Sequence, residues 1–169
     1  MKPQTRAAAP EDIEQILRLG EYMYATVGIT VDDYWRESGR LQLESRLGAD
    51  LKGWVIDGDF ADSEGPSEGA LAACGFVNRT PRLPLPGSRS PVRGYVQWVA
   101  TDPRAQGQGC GRAIMTAMMG WAGQEGIDVL DLHSSPDARP FYLALGFRLS
   151  PDVDYPPAVR GVPMQWRVS

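Results

Sequence analysis

The sequence predicts an α/β fold in a single domain, and three observations carry that expectation. Strand-like runs with apolar residues in short stretches alternate with runs whose apolar residues fall at helical spacing, from the first residues to the last. Near the middle, residues 95–99 read as a strand and residues 113–121 as a helix, joined by the glycine-rich stretch DPRAQGQGCGR at 102–112. The length of 169 residues, with 43% apolar and 22% charged residues, suits one domain with one full core, spanning 1–169. No internal repeat, low-complexity tract or linker interrupts it.

Taken in order, residues 4–8 form a short first strand. Pro10-Glu11-Asp12 places a proline and two acids at the start of an amphipathic helix. Ile13, Ile16, Leu17 and Gly20 then share a helical face that Tyr24 continues. Gly28 separates it from a second helix, from Asp32 or Asp33 to about Leu47, carrying Tyr34, Trp35 and Leu43. Residues 54–56 are a strand and 57–69 a polar, acidic turn. Residues 70–77 are a strand of small side chains, which implies close backbone neighbours. Pro81, Pro84, Pro86 and Pro91, with Arg82 and Arg89, make 80–91 a surface connector that forms no ladder. Beyond the glycine stretch, Ala113, Ile114, Ala117, Met118 and Trp121 give the helix a sheet-packing face, and Gly126 ends it. Residues 128–132 are a strand and 137–145 a short helix stopped by Gly146. Residues 147–149 and 162–168 are the last strands, separated by a Pro/Asp/Tyr loop.

Composition excludes several classes of function. A net charge of −4 argues against general nucleic-acid binding and favours a small cationic partner such as an amine. No run approaches the roughly 18 apolar residues of a membrane span. The first residues carry acids where a signal peptide needs its apolar region, so a cytoplasmic protein is expected. Cys74 and Cys110 form no C-x-x-C pair, and two Cys with one His make a zinc site improbable.

The glycine stretch carries the chemistry. Gly107, Gly109 and Gly111 alternate with Gln108 and Cys110. Glycine accepts positive φ and lets a ligand approach the main chain. The first N–H groups of a helix lack internal partners and bear about half a positive charge between them, so a glycine loop feeding a helix is a cradle for phosphate. Arg104 and Arg112 flank it. The plain alternative is a flexible turn before an ordinary helix, and spacing decides between them. A P-loop needs a Lys that is absent here, and Arg112 stands where a dinucleotide fingerprint needs its third glycine. What fits is Q/R-x-x-G-x-G/A, as Gln106-Gly107-Gln108-Gly109-Cys110-Gly111. This resembles the acyl-CoA pyrophosphate loop of the GNAT superfamily of N-acetyltransferases.

A second segment strengthens the resemblance. In HSSPDARPFYLALGF, residues 133–147, the pattern Ala138-x-x-x-Tyr142-x-x-x-Gly146-Phe147 is similar to the GNAT A-x-x-x-Y-x-x-x-G-F signature, and a strand separates it from the loop as that family requires. The resemblance implies a central mixed, mostly antiparallel sheet, splayed between its two middle strands and flanked by about four helices. It implies that main-chain groups at Gln97, Val99 and Thr101 hold the acyl carbonyl and pantetheine, the Gln97 N–H serving catalysis. The loop from Gln106 to Arg112 would hold the pyrophosphate, and Tyr142 would face the CoA sulfur. Arg139 would meet phosphate or the pantetheine arm. Ser135 stands where the family commonly has Asn, which weakens or replaces one contact to CoA. No carboxylate lies on residues 93–101, so the general base of some members has no counterpart.

The chemistry follows from that placement. Acyl transfer passes through an oxyanion that a strand N–H can stabilise, each such donor being worth about 3 kcal/mol. With a thiol near pKa 8.5 and tyrosine near 10, full proton transfer from Tyr142 is uphill by about 2 kcal/mol, so a hydrogen bond or concerted donation is expected. Presenting a lysine-like amine neutral costs about 4 to 5 kcal/mol, against about 1 for an α-amino group. His133 is the one histidine and could accept that proton, but satisfying local hydrogen bonds is the commoner role. Asp102 is expected to cap the turn before Pro103. Cys110 could be acidified by the helix start, though apolar lining is the better reading. The expected activity is transfer from acetyl-CoA, or another acyl-CoA, to a small-molecule amine, with no metal. A carrier-protein phosphopantetheine donor would need a basic face, which Arg82, Arg89, Arg93 and Arg104 could supply. Protein lysines or N-termini are alternative acceptors, and a CoA-binding sensor is the non-enzymatic alternative. Tyr22, Tyr24, Tyr34, Trp35 and Trp98 are candidates to line an acceptor pocket, with Glu21, Asp32, Asp33 and Glu37 as acids nearby. Dimers are common in the family, so a homodimer is compatible with the resemblance.

Overall fold

The structure, a computed structural model, describes residues 2–62, 65–66, 69–83, 86, 90–150 and 161–168. Pro84 and Arg89 of the proline-rich connector, and the expected loop at 151–160, lie outside the described residues. In chain order the elements are β1 (Arg6–Ala7), α1 (Ile13–Thr26), α2 (Asp33–Arg46), β2 (Leu51–Asp57), β3 (Ala61–Asp62), β4 (Gly65–Pro66), β5 (Leu71–Pro81) and β6 (Val92–Thr101). They continue with α3 (Cys110–Gln124), β7 (Val129–Ser134), α4 (Arg139–Ala144), β8 (Arg148–Leu149) and β9 (Val162–Arg167). Seven strands hydrogen-bond in the order β1-β2-β5-β6-β7-β9-β8. The pairs β1–β2, β2–β5, β7–β9 and β8–β9 are antiparallel, and β6–β7 is parallel. The mixed, mostly antiparallel sheet and four helices match the expected fold class. No described helix is long and apolar enough to cross a membrane.

Three local expectations change. The acidic stretch at 57–69 contains a small hairpin, β3 against β4, where Ala61 pairs with Pro66 and Asp62 with Gly65. The strand expected to end near Val77 continues through Thr80 to Pro81. Pro81 is its last residue, where a missing N–H breaks no interior ladder bond. The third helix begins at Cys110, three residues early, so Gly111 and Arg112 belong to its first turn.

The chain forms two compact units, Met1–Asn78 with Gln97–Met118, and Arg79–Val96 with Met119–Ser169. In the first, Ile13, Ile16, Leu17 and Leu19 of α1 pack with Leu43 of α2 and with Val55, Leu71, Cys74 and Phe76 of the strands. Burying each such aliphatic side chain contributes about 1.5–3 kcal/mol. Asp32 caps α2, its carboxylate accepting the Trp35 N–H at 2.9 Å. Arg6 bridges two carboxylates, Asp12 at 2.8 Å and Asp57 at 2.7 Å, and so ties β1, the start of α1 and the end of β2. Burial raises the Asp12 carboxyl, but Arg6 and the Ala9 N–H outweigh it and hold the group below the usual range. The small residues of β5 have a visible cause. A Cβ on Gly75 would lie 2.5 Å from Met118 Cε and 2.7 Å from Ile114 Cγ2, so the missing side chain lets α3 sit directly on the strand.

In the second unit, β7 pairs with β9 along its whole length, from Val129↔Arg167 to Ser134↔Val162. The parallel ladder of β6 with β7 joins Gly94 to Leu130 and Tyr95 to Asp131, and no pairing beyond Tyr95 occurs among the described residues. Asp131 is buried and paired with the Arg93 side chain. Gly146, at φ 95°, turns the chain out of α4 in the left-handed region that glycine enters without penalty.

Gly75→Ala is expected to lower unfolding stability by about 1–3 kcal/mol through overpacking against Ile114 and Met118. Urea denaturation with an unchanged m-value reads that loss directly.

Candidate active site

Gly107 and Gly109 adopt φ 76° and 83°, and a Cβ built on either meets nothing within 4 Å. Both glycines therefore serve the conformation of the turn, and their outer face is open. Residues 106–109 are exposed, and α3 follows at once, its first helical bond running from Ala113 N–H to Gly109 O at 3.0 Å. The N–H groups of Cys110, Gly111 and Arg112 thus open the helix, where the helical ladder supplies no partner. Gln108 is fastened backwards, its side-chain amide donating to Arg104 O at 2.9 Å.

The base of this turn is a buried carboxylate. Asp102, 1% exposed, accepts from the Arg104 N–H at 2.9 Å and from Arg104 Nε and Nη2 at 2.9 Å each. It also accepts from Arg18 Nη1 of α1 at 2.7 Å. Its own N–H donates to Ala72 O of β5 at 2.8 Å. Burial raises this carboxyl, and the donors from Arg104 and Arg18 outweigh it, holding the group well below the usual carboxylate range. The expected turn cap is present, but the arginine beside it is not turned to an incoming anion. Arg104 grips Asp102 and lies 4.0 Å over the Phe60 ring. Arg112 is exposed on the first turn of α3.

Upstream, Gln97, Val99 and Thr101 are half-buried on β6, and Trp98 between them sits at φ 48°. A bulky residue in the left-handed region is strained, and such outliers concentrate at functional sites. Trp98 stacks on Trp35 with centroids 5.1 Å apart and planes at 21°. Tyr24 meets Trp35 edge-on at 5.7 Å. A cleft of about 290 Å³ lies against these rings, bordered by Tyr34, Trp35 and Trp98. Tyr22 does not border it, and Tyr24 stands behind Trp35. Of the acids nearby, Glu21 pairs with Arg36, Glu37 with Arg40, and Asp32 caps α2. They are spent within the helices.

In the second unit Ser135 begins the turn into α4, its Oγ accepting the Ala138 N–H at 3.3 Å. Arg139 is half-buried at the first position of the helix. Tyr142 is 8% exposed, packed edge-on against Phe141 and Phe147, and burial pushes its phenol up to about 12. His133 lies within β7, its Nδ1 2.8 Å from the Tyr95 hydroxyl. Burial lowers its pKa against a smaller opposing effect of Asp131, so the ring is neutral at pH 7. The local hydrogen bond foreseen for this histidine is there. Both cysteines are buried, and burial pushes the Cys110 thiol up and that of Cys74 to about 12. Burial outweighs any acidifying pull of the helix start on Cys110, which lines the interior as a thiol. Among the described residues, no three or more His, Cys, Asp or Glu side chains cluster to hold a metal.

One family model matches the stretch of sequence that holds the glycine turn and the strand with the strained centre. The acetyltransferase (GNAT) domain model covers residues 60–149, more than half of the chain. The chain belongs to the GNAT acetyltransferase family. It is thus an acetyltransferase by family, one whose members carry out acetyl-CoA-dependent acetylation. No curated protein matches it by sequence. Among solved structures it resembles a predicted acetyltransferase of Clostridium acetobutylicum, determined with acetyl-CoA. The TM-score is 0.77 at 17% identity, over 90% of this chain and 94% of that one. It also resembles glucosamine-6-phosphate N-acetyltransferase of Arabidopsis thaliana (0.67, 17%, 92% and 97%). PaiA N-acetyltransferase of Thermoplasma acidophilum, in complex with coenzyme A, aligns over 99% and 100% at 14% identity and 0.65. At these identities the likeness is one of fold.

Asp102→Asn tests the anchor of the glycine turn. The carboxyl's folded pKa lies below its unfolded value of about 3.9, so its stabilisation is complete above that pH and disappears as pH falls through the folded value. The variant is expected to lose about 2 kcal/mol at pH 7, allowing for the partial exposure of both arginines. It should also show a flatter decline of stability below pH 4 than wild type, measured by urea denaturation across pH.

Proposed function

We propose that the chain, acting as a single acyltransferase domain over residues 1–169, moves an acetyl or other short acyl group from acyl-CoA to the amine of a small molecule. The transfer is a direct attack in a ternary complex. The observation that carries this reading is the pair of left-handed glycines, Gly107 and Gly109, leading straight into α3 with open space on their outer side. Main-chain donors there, from Gln106 to Arg112, bind the pyrophosphate with the field of the helix behind them. Val99 and Thr101 hold the pantetheine arm through main-chain groups, and the Gln97 N–H donates to the oxyanion as the amine attacks. Among the described residues β6 pairs with β7 only at Gly94 and Tyr95, which supports this, since it leaves Gln97, Val99 and Thr101 outside the parallel ladder. Ser135 and Arg139, at the entry to α4, add polar contacts to the cofactor.

Tyr142 donates a hydrogen bond to the sulfur as the thiolate leaves. With its phenol near pKa 12, complete transfer of the proton to a thiolate of pKa about 8.5 is uphill by about 5 kcal/mol, so the phenol stays protonated and stabilises charge. Free acyl-CoA is the donor in this reading. Two arginines of the candidate carrier-docking face are already engaged, Arg93 with Asp131 and Arg104 with Asp102.

Calorimetric titration with acetyl-CoA is expected to give saturable binding to wild type and a loss of at least about 100-fold in Gly109→Asp, where a carboxylate stands in the anion cradle. Binding left intact by that substitution would dismiss the loop assignment. Tyr142→Phe is expected to lower kcat about 10- to 100-fold with little change in the KM for acetyl-CoA, the size of one hydrogen bond to a developing charge. Because the Tyr142 phenol ionises only near 12, kcat/KM should climb with pH until the acceptor itself is deprotonated, with no fall below that range. A descending limb near pH 9 or 10 that vanishes in Tyr142→Phe would contradict the assigned state.

A further inference from the structure

The cleft beside Trp98 has features that select a class of acceptor. Its aromatic wall is built before any ligand arrives. Gly20 and Gly39 lack the Cβ atoms that would come within 3.0 Å of Trp35 and 3.4 Å of Trp98, and these two gaps let the indoles settle face to face. Trp35 is then held from behind by Tyr24. Two further rings border the cleft, Phe76 from β5 and Tyr34 from α2. Tyr34 is 81% exposed, an apolar ring turned outward at the rim. A planar group entering here meets the Trp35 and Trp98 rings already held by their neighbours, which lowers the entropic cost of binding.

The charges around the cleft point the same way. Arg46 is the one charged residue among the described lining residues, and most of its guanidinium N–H groups are engaged. Nε and Nη2 hold Asp50 at 3.0 and 2.8 Å, Nη2 also reaches Asn78 at 2.5 Å, and Nη1 donates to Gln42 at 3.2 Å. A ligand carboxylate or phosphate would meet a cation whose charge Asp50 already balances. A polyamine would find no carboxylate on the wall, since Glu21 and Glu37 are paired elsewhere. At about 290 Å³ the space suits one or two fused rings on a short arm. Gln97 borders the same cleft, so an amine on that arm reaches the residue assigned to the acyl carbonyl.

We infer that this cleft is the acceptor subsite and that it takes primary amines on a planar, apolar, uncharged body, in preference to polyamines, amino acids and sugar phosphates. The inference rests on the acyltransferase reading above for the reaction, and on the cleft alone for the binding.

The test joins turnover to binding. Thiol release from acetyl-CoA is measured with benzylamine, 2-phenylethylamine and tryptamine, beside spermidine, glycine and glucosamine 6-phosphate. The same planar amines are titrated calorimetrically into the protein with and without CoA. The expected result is a kcat/KM for the best planar amine at least tenfold above every charged competitor. Tyr34→Ala, at a residue too exposed to matter for folding, should raise its KM at least threefold with kcat changed less than twofold. Ser38→Trp, which fills the cleft, should abolish its calorimetric signal. A charged competitor that equals the planar amines in turnover overturns the inference and leaves the acyltransferase reading intact. If acetyl-CoA does not bind and no amine releases thiol, that reading falls instead, and saturable planar-amine binding lost in Ser38→Trp still upholds the cleft. Absence of any saturable planar-amine binding overturns it.

Discussion

The first unit is fastened at one buried carboxylate. Asp102 ends β6, and through it α1, β5 and the glycine turn are joined: Arg18 reaches it from the helix, its N–H reaches Ala72, and Arg104 closes on it from the turn. A carboxylate removed from water is costly unless every lone pair is met, and here four donors meet it. The consequence is positional. Gly107 and Gly109 take left-handed angles because they lack a Cβ, and the residues before them are held in place by Asp102. Arg104, which by sequence alone looks like a phosphate ligand, is consumed in that hold.

The secondary structure was largely legible because its signals are local. Pro10 with two acids, the Asp32 cap, Gly126 and Gly146 each state a helix boundary, and the boundaries lie close to where those residues place them. The run of small residues before Gly75 also announced a close neighbour, which proves to be α3. What the sequence hid depends on contacts between distant residues. Nothing in residues 95–99 marks Trp98 as left-handed, because a tryptophan amid apolar residues reads as ordinary strand core. Its conformation comes with Trp35 and with the absent side chains at Gly20 and Gly39. The hairpin at 61–66 and the extension of β5 to Pro81 were likewise obscured, one by acidic, glycine-bearing composition and the other by proline count. Of the candidate site, the glycine turn was readable by spacing. The pairing of Arg93 and Arg104 was not, since both carboxylate partners are recognisable only once buried.

Several of the candidate residues share an electrostatic character. Tyr142 is held as a neutral phenol and His133 as a neutral ring, both by burial, and β6 brings no carboxylate of its own. In the proposed reaction, the charge that develops on the reactants would be met by fixed dipoles: a strand N–H, the start of a helix, a phenolic O–H. Dipoles of that kind are already aligned before reaction and do not reorganise during it. The strained backbone at Trp98 belongs to the same economy of fixed parts, since it aims two adjacent residues of one strand, Gln97 and Trp98, at the same cleft.

The two buried thiols have a practical consequence. Thiol–disulfide exchange proceeds through the thiolate. Cys74 is 0% and Cys110 4% exposed, and burial raises both thiols, so both are shielded from reagents in solution. The native protein is therefore expected to react slowly with disulfide chromogens of the kind that report free sulfhydryls. Colour developed with such a reagent during turnover counts cofactor product and not enzyme, while colour that grows without substrate registers loss of the fold.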